Sequence, residues 1–207
     1  MVVIHYTAMR TAAAACDTLC NPDTQVSAHY LIAEDGCVLN LVPEEMRAWH
    51  AGAGQWGDVT DVNSRSIGIE LANPGHCPFA ASQMDALCDL LDGIRDRWAI
   101  LPERIIGHSD MAPGRKIDPG ARFDWRRLAR LGLSVWPSSV ADAPSSDMFI
   151  PLMRSVGYTA DVADEVLLSA FRMRFRPRAT GPLCPADMAL IADLAERFPV
   201  DASPATA

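Results

Sequence analysis

The sequence predicts an α/β fold in which helices flank a mixed central β-sheet, followed by a small three-helix domain. Three observations predict it. Short β-branched and aromatic runs alternate with helical segments over the first 135 residues. A stretch rich in Pro, Ser, Ala and Asp follows, as is typical of a linker. Beyond it the pattern is helical. The predicted boundaries are 1–135 for the first domain, 136–147 for the linker, 148–199 for the three-helix domain and 200–207 for a disordered tail.

Each element has a local signal. The predicted strands are VVIHYT (2–7), SIGIELAN (66–73) and RIIGHS (104–109), with a hairpin around Asp35-Gly36. The predicted helices are the alanine-rich TAAAACDTLC (11–20), the amphipathic SQMDALCDLLDGIRDRWAI (82–100) with Ser82 as its N-cap, and DWRRLARLGL (124–133). In the C-terminal part, helices are predicted within 148–158, 159–176 and 184–198, with start signals at Thr159 or Asp161 and at Pro185.

Composition excludes some classes of partner. The net charge is −8 and the isoelectric point is about 5.0, which disfavours binding to a nucleic-acid backbone. No run of about 18 apolar residues is present, so no transmembrane helix is predicted. The six cysteines follow no spacing pattern, and MVVIHYT does not resemble a signal peptide. We therefore expect reduced thiols and a cytoplasmic location. We also expect a monomer.

The segment GHSDMAPGRKIDPG, residues 107–120, concentrates titratable side chains among prolines and glycines that rule out a continuous helix or strand. It follows a predicted strand, so we expect a loop at a sheet edge, where catalytic groups are often placed. His5 and His108 stand at corresponding positions in two predicted strands, and Asp118 lies on this loop. Two histidines and one carboxylate can form a three-ligand zinc site. For His5, a hydrogen-bonded structural histidine is the alternative.

Glu70 is a carboxylate within the otherwise apolar run SIGIEL. Alternation places the large apolar side chains of this run on one face and leaves Gly68 and Glu70 on the other. Glu70 is therefore a candidate general base or proton shuttle, with a solvent-facing position on an edge strand as the alternative. Lys116, two residues before Asp118, is a candidate for stabilising an oxyanion, or else a solvated loop lysine.

The run RAWHAGAG, residues 47–54, places aromatic and imidazole side chains on a predicted loop. Trp49 is a candidate for stacking on a sugar ring, with burial as an equal alternative. His50, His29 and Ser109 complete the candidate substrate-binding set. The two histidines are better interpreted as hydrogen-bonding or packing residues than as extra metal ligands.

Five motifs in consistent order over residues 2–136 resemble the zinc-dependent N-acetylmuramoyl-L-alanine amidases, the amidase_2 family shared with peptidoglycan recognition proteins. They are VVIHYTAM, VSAHYLI, LVPEEMRAWHAG, NSRSIGIEL and GHSDMAPGRKIDPG. The resemblance implies that His5, His108 and Asp118 hold one Zn²⁺ per chain, with Glu70 as catalytic acid/base and Lys116 as the stabiliser of the transition state. Asp118 in place of cysteine is similar to the bacterial amidases rather than to the phage lysozymes.

Residues 148–198 resemble the small helical peptidoglycan-binding module that follows such amidases, with AFRMRFRPRATG as the most recognisable piece. Its four arginines are expected at a helix end and on a solvated face rather than at an anionic ligand. They are Arg172, Arg174, Arg176 and Arg178. In several relatives this module is structural, so the resemblance does not imply glycan binding.

The resemblance implies hydrolysis of the amide bond between the lactyl group of N-acetylmuramic acid, or its anhydro form, and L-alanine of muropeptides or peptidoglycan, in cell-wall recycling or turnover. The alternatives are a non-catalytic peptidoglycan-sensing module and a zinc amidase that acts on a non-muramyl substrate. Relatives usually carry a stretch ahead of the first strand, so a periplasmic location is the alternative if the N-terminus is incomplete. A cytoplasmic enzyme would meet soluble muropeptides, and a periplasmic one the polymer or its fragments.

Overall fold

A computed structural model describes residues 1–138 and 143–201, so part of the predicted linker (139–142) and most of the predicted tail (202–207) lie outside the described residues. Within them, one sheet contains β1 (Val2–Tyr6), β2 (Tyr30–Ile32), β3 (Val38–Asn40), β4 (Ile67–Leu71) and β5 (Ile105–Gly107). The strand order is β3-β2-β4-β1-β5. All pairs are parallel except β2 with β3, the hairpin predicted around Asp35-Gly36. The sheet is mixed, as predicted.

The helices of the described residues lie between and after these strands. They are α1 (Ala12–Leu19), α2 (Val62–Arg65), α3 (Ala81–Trp98), α4 (His108–Met111), α5 (Trp125–Arg130), α6 (Phe149–Val156), α7 (Asp164–Phe175) and α8 (Pro185–Arg197). None of them is long and apolar enough to cross a membrane. The one-turn helix α4 occupies part of the segment predicted to be a loop, and α6 to α8 lie within the three C-terminal segments predicted to be helical.

Two helix starts differ from the sequence prediction. Helix α3 begins at Ala81, so Ser82 is not its N-cap; the Ser82 hydroxyl instead donates to the carbonyl of Glu34 at 2.7 Å. That bond ties the helix to the β2–β3 hairpin, a tertiary contact with no local signal. Helix α7 begins at Asp164 rather than near Thr159, whereas α8 begins at Pro185 as predicted.

Alternation along the strands gives the sheet two different faces. Ile4 of β1 and Ile69 of β4 pack against the apolar side of α3 on one face. Val3 of β1 and Ile106 of β5 pack on the opposite face, in a cluster that includes apolar residues of α6, α7 and α8. Because side chains alternate, His5 shares the face of Val3. The candidate site therefore lies on the side of the sheet away from α3.

The C-terminal helices share a hydrophobic core with the sheet. Phe149 of α6, Phe171 of α7 and Ile191 of α8 are buried in the same cluster as Val3 and Met111. Burial of apolar surface is the main favourable contribution to folding. The proposed boundary between the two parts of the chain is therefore crossed by a continuous apolar interface.

Arg172 and Arg174 of α7, and Arg176 directly after it, make internal ion pairs. Arg172 and Arg176 bind Asp187 of α8 at 2.5 and 2.6 Å, and Arg174 binds Asp110 at 2.6 Å. Arg172 and Arg174 are 7% and 4% exposed, so the expectation of a solvated face is wrong for these two. Buried charges persist where they are paired. Their partners come from other elements, which the spacing of arginines along α7 does not reveal.

Candidate active site

Three polar side chains converge at the carboxyl ends of β1 and β5. His5 lies in β1, His108 follows β5 directly, and Asp118 lies ten residues further along the chain. The Nδ1 atoms of His5 and His108 are 2.9 Å apart, and they lie 2.9 and 3.0 Å from Oδ2 of Asp118. All three side chains are buried. The structure thus brings together the ligand set expected from the sequence.

The outer nitrogens of the two histidines indicate which atoms carry protons. Nε2 of His108 lies 2.8 Å from the carbonyl oxygen of Ala51, to which it donates, and Nε2 of His5 lies 3.0 Å from Nδ1 of His50. With protons on both Nε2 atoms, both Nδ1 lone pairs point toward the Asp118 carboxylate. Acceptors that face one another repel unless a cation lies between them. The donor set therefore fits a metal ion, and imidazole with carboxylate is a set that zinc accepts.

His50 orients His5 from behind. Its ring packs on Gly68, where a Cβ atom would lie 2.3 Å from the imidazole, so a larger residue would displace it. Nδ1 of His50 accepts from His5, Nε2 lies 3.2 Å from the hydroxyl of Ser66, and that hydroxyl donates to the carbonyl of Val62. Burial holds the pKa of His50 well below its ordinary value, so the ring is neutral. Such partners fix the tautomer of a ligand histidine.

Burial and neighbouring charges set the protonation of the ligands. Burial, reinforced by His108, lowers the pKa of His5 to about 4. Burial opposes ionisation of Asp118, but the two histidines beside it hold its pKa below the ordinary range. Neutral imidazole and ionised carboxylate are the forms that bind a metal.

Glu70 faces the same space from the neighbouring strand. β4 pairs with β1 in a register that places Glu70 beside His5. Its Oε2 atom is buried and has no hydrogen-bond partner among the described residues. Burial, with the Asp118 charge nearby, raises the pKa of Glu70 to about 8. A carboxyl with a pKa near neutrality and an unpartnered oxygen is suited to accept and return a proton.

A cavity of about 360 Å³ opens beside these groups, and its walls include Glu70, Lys116 and Trp49. Trp49 is 53% exposed, so its indole face is available to a ligand rather than committed to the core. Lys116 lines this cavity, and its charge acts to lower the pKa of both His5 and Glu70.

The remaining two members of the candidate substrate-binding set are buried and make contacts within the protein. Nε2 of His29 donates to the carbonyl of Met46 at 3.0 Å, while its Nδ1 accepts from the amide of Gly68. The amide of Ser109 donates to the carbonyl of Asp118 at 2.9 Å. These contacts hold the loops that surround the site.

Sequence reasoning missed two residues that shape the site. The side-chain oxygen of Asn63 accepts from the amides of His50 and Ala51, at 3.1 and 2.8 Å, and so holds their loop. Asp110 accepts from the amide of Gly107 at 2.8 Å, within the turn that carries His108. Asn63 binds a segment remote in sequence and so has no local pattern, whereas Asp110, three residues after Gly107, has the spacing of a capping residue.

A sheet that carries a convergent His-His-Asp group beside a carboxyl with an unpartnered oxygen is typical of metal-dependent hydrolases. The family model described as N-acetylmuramoyl-L-alanine amidase, Amidase_2, matches residues 1–121. The chain belongs to this family.

Its relatives include two N-acetylmuramyl-L-alanine amidases of one organism. The chain is 34% identical to N-acetylmuramoyl-L-alanine amidase AmiD of Escherichia coli K12, over 97% of this chain and 84% of that protein. It is 40% identical to 1,6-anhydro-N-acetylmuramyl-L-alanine amidase AmpD of the same organism, over 50% of this chain and 57% of that protein.

Two solved structures resemble almost the whole chain. One is E. coli AmiD in complex with the substrate anhydro-N-acetylmuramic acid-L-Ala-D-gamma-Glu-L-Lys, with a TM-score of 0.87, 33% identity and coverage of 97% of this chain and 90% of that chain. The other is AmpDh3 of Pseudomonas aeruginosa in complex with anhydromuramic pentapeptide. Its TM-score is 0.86 at 32% identity, and the match covers 96% of this chain and 92% of that chain. Both matches extend over the C-terminal helices, because they cover nearly all of the chain.

Proposed function

We propose that this chain hydrolyses the amide bond between the lactyl group of N-acetylmuramic acid, or its anhydro form, and L-alanine in muropeptides. The observation that carries the proposal is the position of Glu70, a half-buried glutamate whose buried Oε2 atom has no hydrogen-bond partner among the described residues, beside the convergent His5, His108 and Asp118. The likeness to two proteins in complex with anhydromuramyl peptides supports this substrate class.

His5, His108 and Asp118 would hold one Zn²⁺, which polarises a carbonyl and lowers the pKa of water. Glu70 takes a proton from the attacking water as the new carbon–oxygen bond forms. It then gives that proton to the nitrogen of L-alanine as the carbon–nitrogen bond breaks. Glu70 therefore ends the reaction in the protonation state in which it began.

Two further residues of the cavity wall have roles in this proposal. The Lys116 ammonium stabilises negative charge on the former carbonyl oxygen, because an oriented cation in a buried site interacts strongly with a developing oxyanion. The half-exposed Trp49 offers its face to the sugar ring or to the stem peptide.

Mass spectrometry of a purified anhydro-muropeptide incubated with the zinc-loaded protein tests this function. We expect release of a peptide with a free L-alanine amino group, and loss of that release by at least about 100-fold in Glu70→Gln. Glu45→Gln is the matched control, because Glu45 is exposed. Binding of the muropeptide without cleavage would favour the sensing alternative. Cleavage of other amides alone would favour a non-muramyl substrate.

We also propose that the chain acts as a monomer on soluble muropeptides in the cytoplasm. One chain supplies the whole convergent group, and the six cysteines are free thiols, as a reducing compartment favours. Soluble muropeptides should then be cleaved faster than intact sacculi. The opposite preference would favour the periplasm.

The domain organisation is part of the same proposal, with 148–199 as a three-helix peptidoglycan-binding-like unit joined through 136–147. Helices α6, α7 and α8 support it, and a cavity of about 630 Å³ lies among residues of α6, α7 and the segment 177–183. Limited proteolysis should cut within 136–147 before it cuts elsewhere.

A further inference from the structure

Asp110 links the C-terminal helices to the turn that carries His108, residues 107–111, the metal-binding turn. It lies two residues after His108 and is 1% exposed. Its Oδ2 atom accepts from the amide of Gly107 at 2.8 Å, which closes the turn. Its other partners come from the C-terminal part of the chain: the hydroxyl of Tyr158 donates to Oδ1 at 2.5 Å, and Arg174 donates to Oδ2 at 2.6 Å.

Arg174 is held in place by several elements at once. Its Nη2 atom donates to the carbonyl of Ile105 in β5 at 3.2 Å and to the hydroxyl of Ser134 at 2.9 Å. Its guanidinium lies 4.1 Å from the centre of the Trp125 ring. Moving this buried guanidinium would break several contacts and leave its charge poorly compensated. Arg174 of α7 therefore holds the Asp110 carboxylate in position.

The C-terminal part also contacts the loop that orients His108 from the other side. The amide of Gly57 donates to the carbonyl of Gly157 at 2.9 Å, and the hydroxyl of Thr159 donates to the carbonyl of Gly57 at 2.9 Å. The Tyr158 ring packs edge-on against Trp56, with ring centres 4.9 Å apart. The same loop begins with Ala51, whose carbonyl accepts from Nε2 of the histidine.

We propose that Tyr158 and Arg174 are positioning residues for His108, so that the C-terminal helices set the geometry of the metal site. The inference rests on the proposed metal site. Both side chains are buried outside the walls of the 360 Å³ cavity, so they act through Asp110 and through the loop at 51–57 rather than on the substrate.

The test measures metal binding directly. In Tyr158→Phe the ring still packs on Trp56, but the hydrogen bond to Asp110 is lost. We expect zinc affinity, measured by competition with a chelator, to fall about threefold to tenfold. This is less than the roughly 10-fold to 100-fold lost with a direct partner of a ligand, because Tyr158 acts on His108 only through Asp110. The visible absorption spectrum of the Co²⁺-substituted protein should also shift, because it reports ligand geometry.

Tyr30→Phe is the matched control. It also removes a phenol–carboxylate hydrogen bond, to Glu44 at 2.6 Å, but this pair has no contact with the metal-binding turn. The control should lose similar stability and keep wild-type zinc affinity and the wild-type Co²⁺ spectrum. A Tyr158→Phe protein that also keeps both would overturn the positioning role.

Thr159→Val tests the second contact, and it keeps the inference falsifiable if Tyr158→Phe does not fold. It removes the bond to the Gly57 carbonyl without a change of side-chain size, and a smaller loss of zinc affinity is expected. Wild-type zinc affinity in both variants would refute the positioning role and leave the proposed metal site standing. A wild-type chain that binds no metal refutes the metal site itself.

Discussion

His5 and Glu70 occupy paired positions on the neighbouring parallel strands β1 and β4, so that the imidazole proposed to bind the metal and the carboxyl proposed to move the proton rise from the same face of the sheet. This pairing is set by backbone hydrogen bonds rather than by a loop. A site built on strands holds its geometry more precisely than one built on loops alone. His108 and Asp118, which come from the segment after β5, complete the group.

The first prediction concerns metal content. The purified chain should bind about one zinc per chain, because His5, His108 and Asp118 form one three-ligand set. His108→Ala should bind close to none, as measured by elemental analysis after dialysis against trace zinc. His76→Ala is the control, since His76 is exposed on a loop. Wild-type metal content in the His108 variant would show that the metal lies elsewhere.

The second prediction concerns the protons released when zinc binds. Burial raises the pKa of Glu70 to about 8, so Glu70 is protonated at pH 7 in the metal-free protein. A nearby cation favours the ionised form, so zinc binding should expel this proton below pH 8. His5, with its pKa lowered to about 4, is already neutral and releases none in this range.

Zinc affinity should therefore increase more steeply between pH 6 and 8 in the wild type than in Glu70→Gln. Calorimetry in buffers of different ionisation enthalpy counts the protons, and the variant should release about one fewer near pH 6.5. Equal proton release in the two proteins would mean that Glu70 is ionised before the metal binds.

The third prediction concerns stability against acid. Hydrogen bonds from Arg97 lower the pKa of Glu44 to about 2, although burial opposes this, and Tyr30 and Trp98 also donate to the carboxylate. A lowered folded-state pKa gives stability that is present above the unfolded pKa of about 4.3 and is lost as the pH falls toward 2. Glu44→Gln should cost about 2 kcal/mol of unfolding free energy at pH 7 and much less near pH 2.

Urea denaturation at the two pH values measures this difference. Glu45→Gln serves as the control. Because Glu45 is exposed, this substitution should change the free energy of unfolding by less than about 0.5 kcal/mol at either pH. A cost in Glu44→Gln that does not depend on pH would show that the charge of Glu44 is unimportant.

The fourth prediction concerns truncation. A chain of residues 1–136 should aggregate or lose cooperative unfolding, because Ile106, Met111 and Trp56 would lose their apolar cover from α6 to α8. Residues 1–201 serve as the control, since this chain keeps all the described helices. Cooperative unfolding measured by circular dichroism in 1–136, together with amidase activity, would show that the first part folds by itself.

The fifth prediction concerns the thiols. Titration of the denatured, unreduced protein should find close to six free thiols, because all six cysteines are unbridged in the structure. The count should not change when reductant is present during purification. Three disulfides, together with efficient digestion of sacculi, would place the enzyme in the periplasm.

Local patterns were sufficient for much of the sheet and for the choice of candidate residues. The β-branched runs placed β1, β4 and β5, Asp35-Gly36 placed the hairpin, and strict alternation put Glu70 on the face opposite the apolar side chains of its strand. These features depend on side-chain period and turn chemistry, which act over a few residues. The roles of the ligands came from the motif resemblance.

Contacts between distant segments were decided only by the tertiary structure. Ser82 looked like a helix cap but binds Glu34, and Arg174 looked like a solvated helix-end cation but is buried against Asp110. A hydroxyl or a guanidinium has the same local sequence pattern whether its partner is water or a carboxylate 64 residues away. The sequence by itself therefore determined which face of its own strand each side chain occupies, because alternation is local. The pairing of distant strands and the packing of the C-terminal helices decided which residues surround His5 and His108.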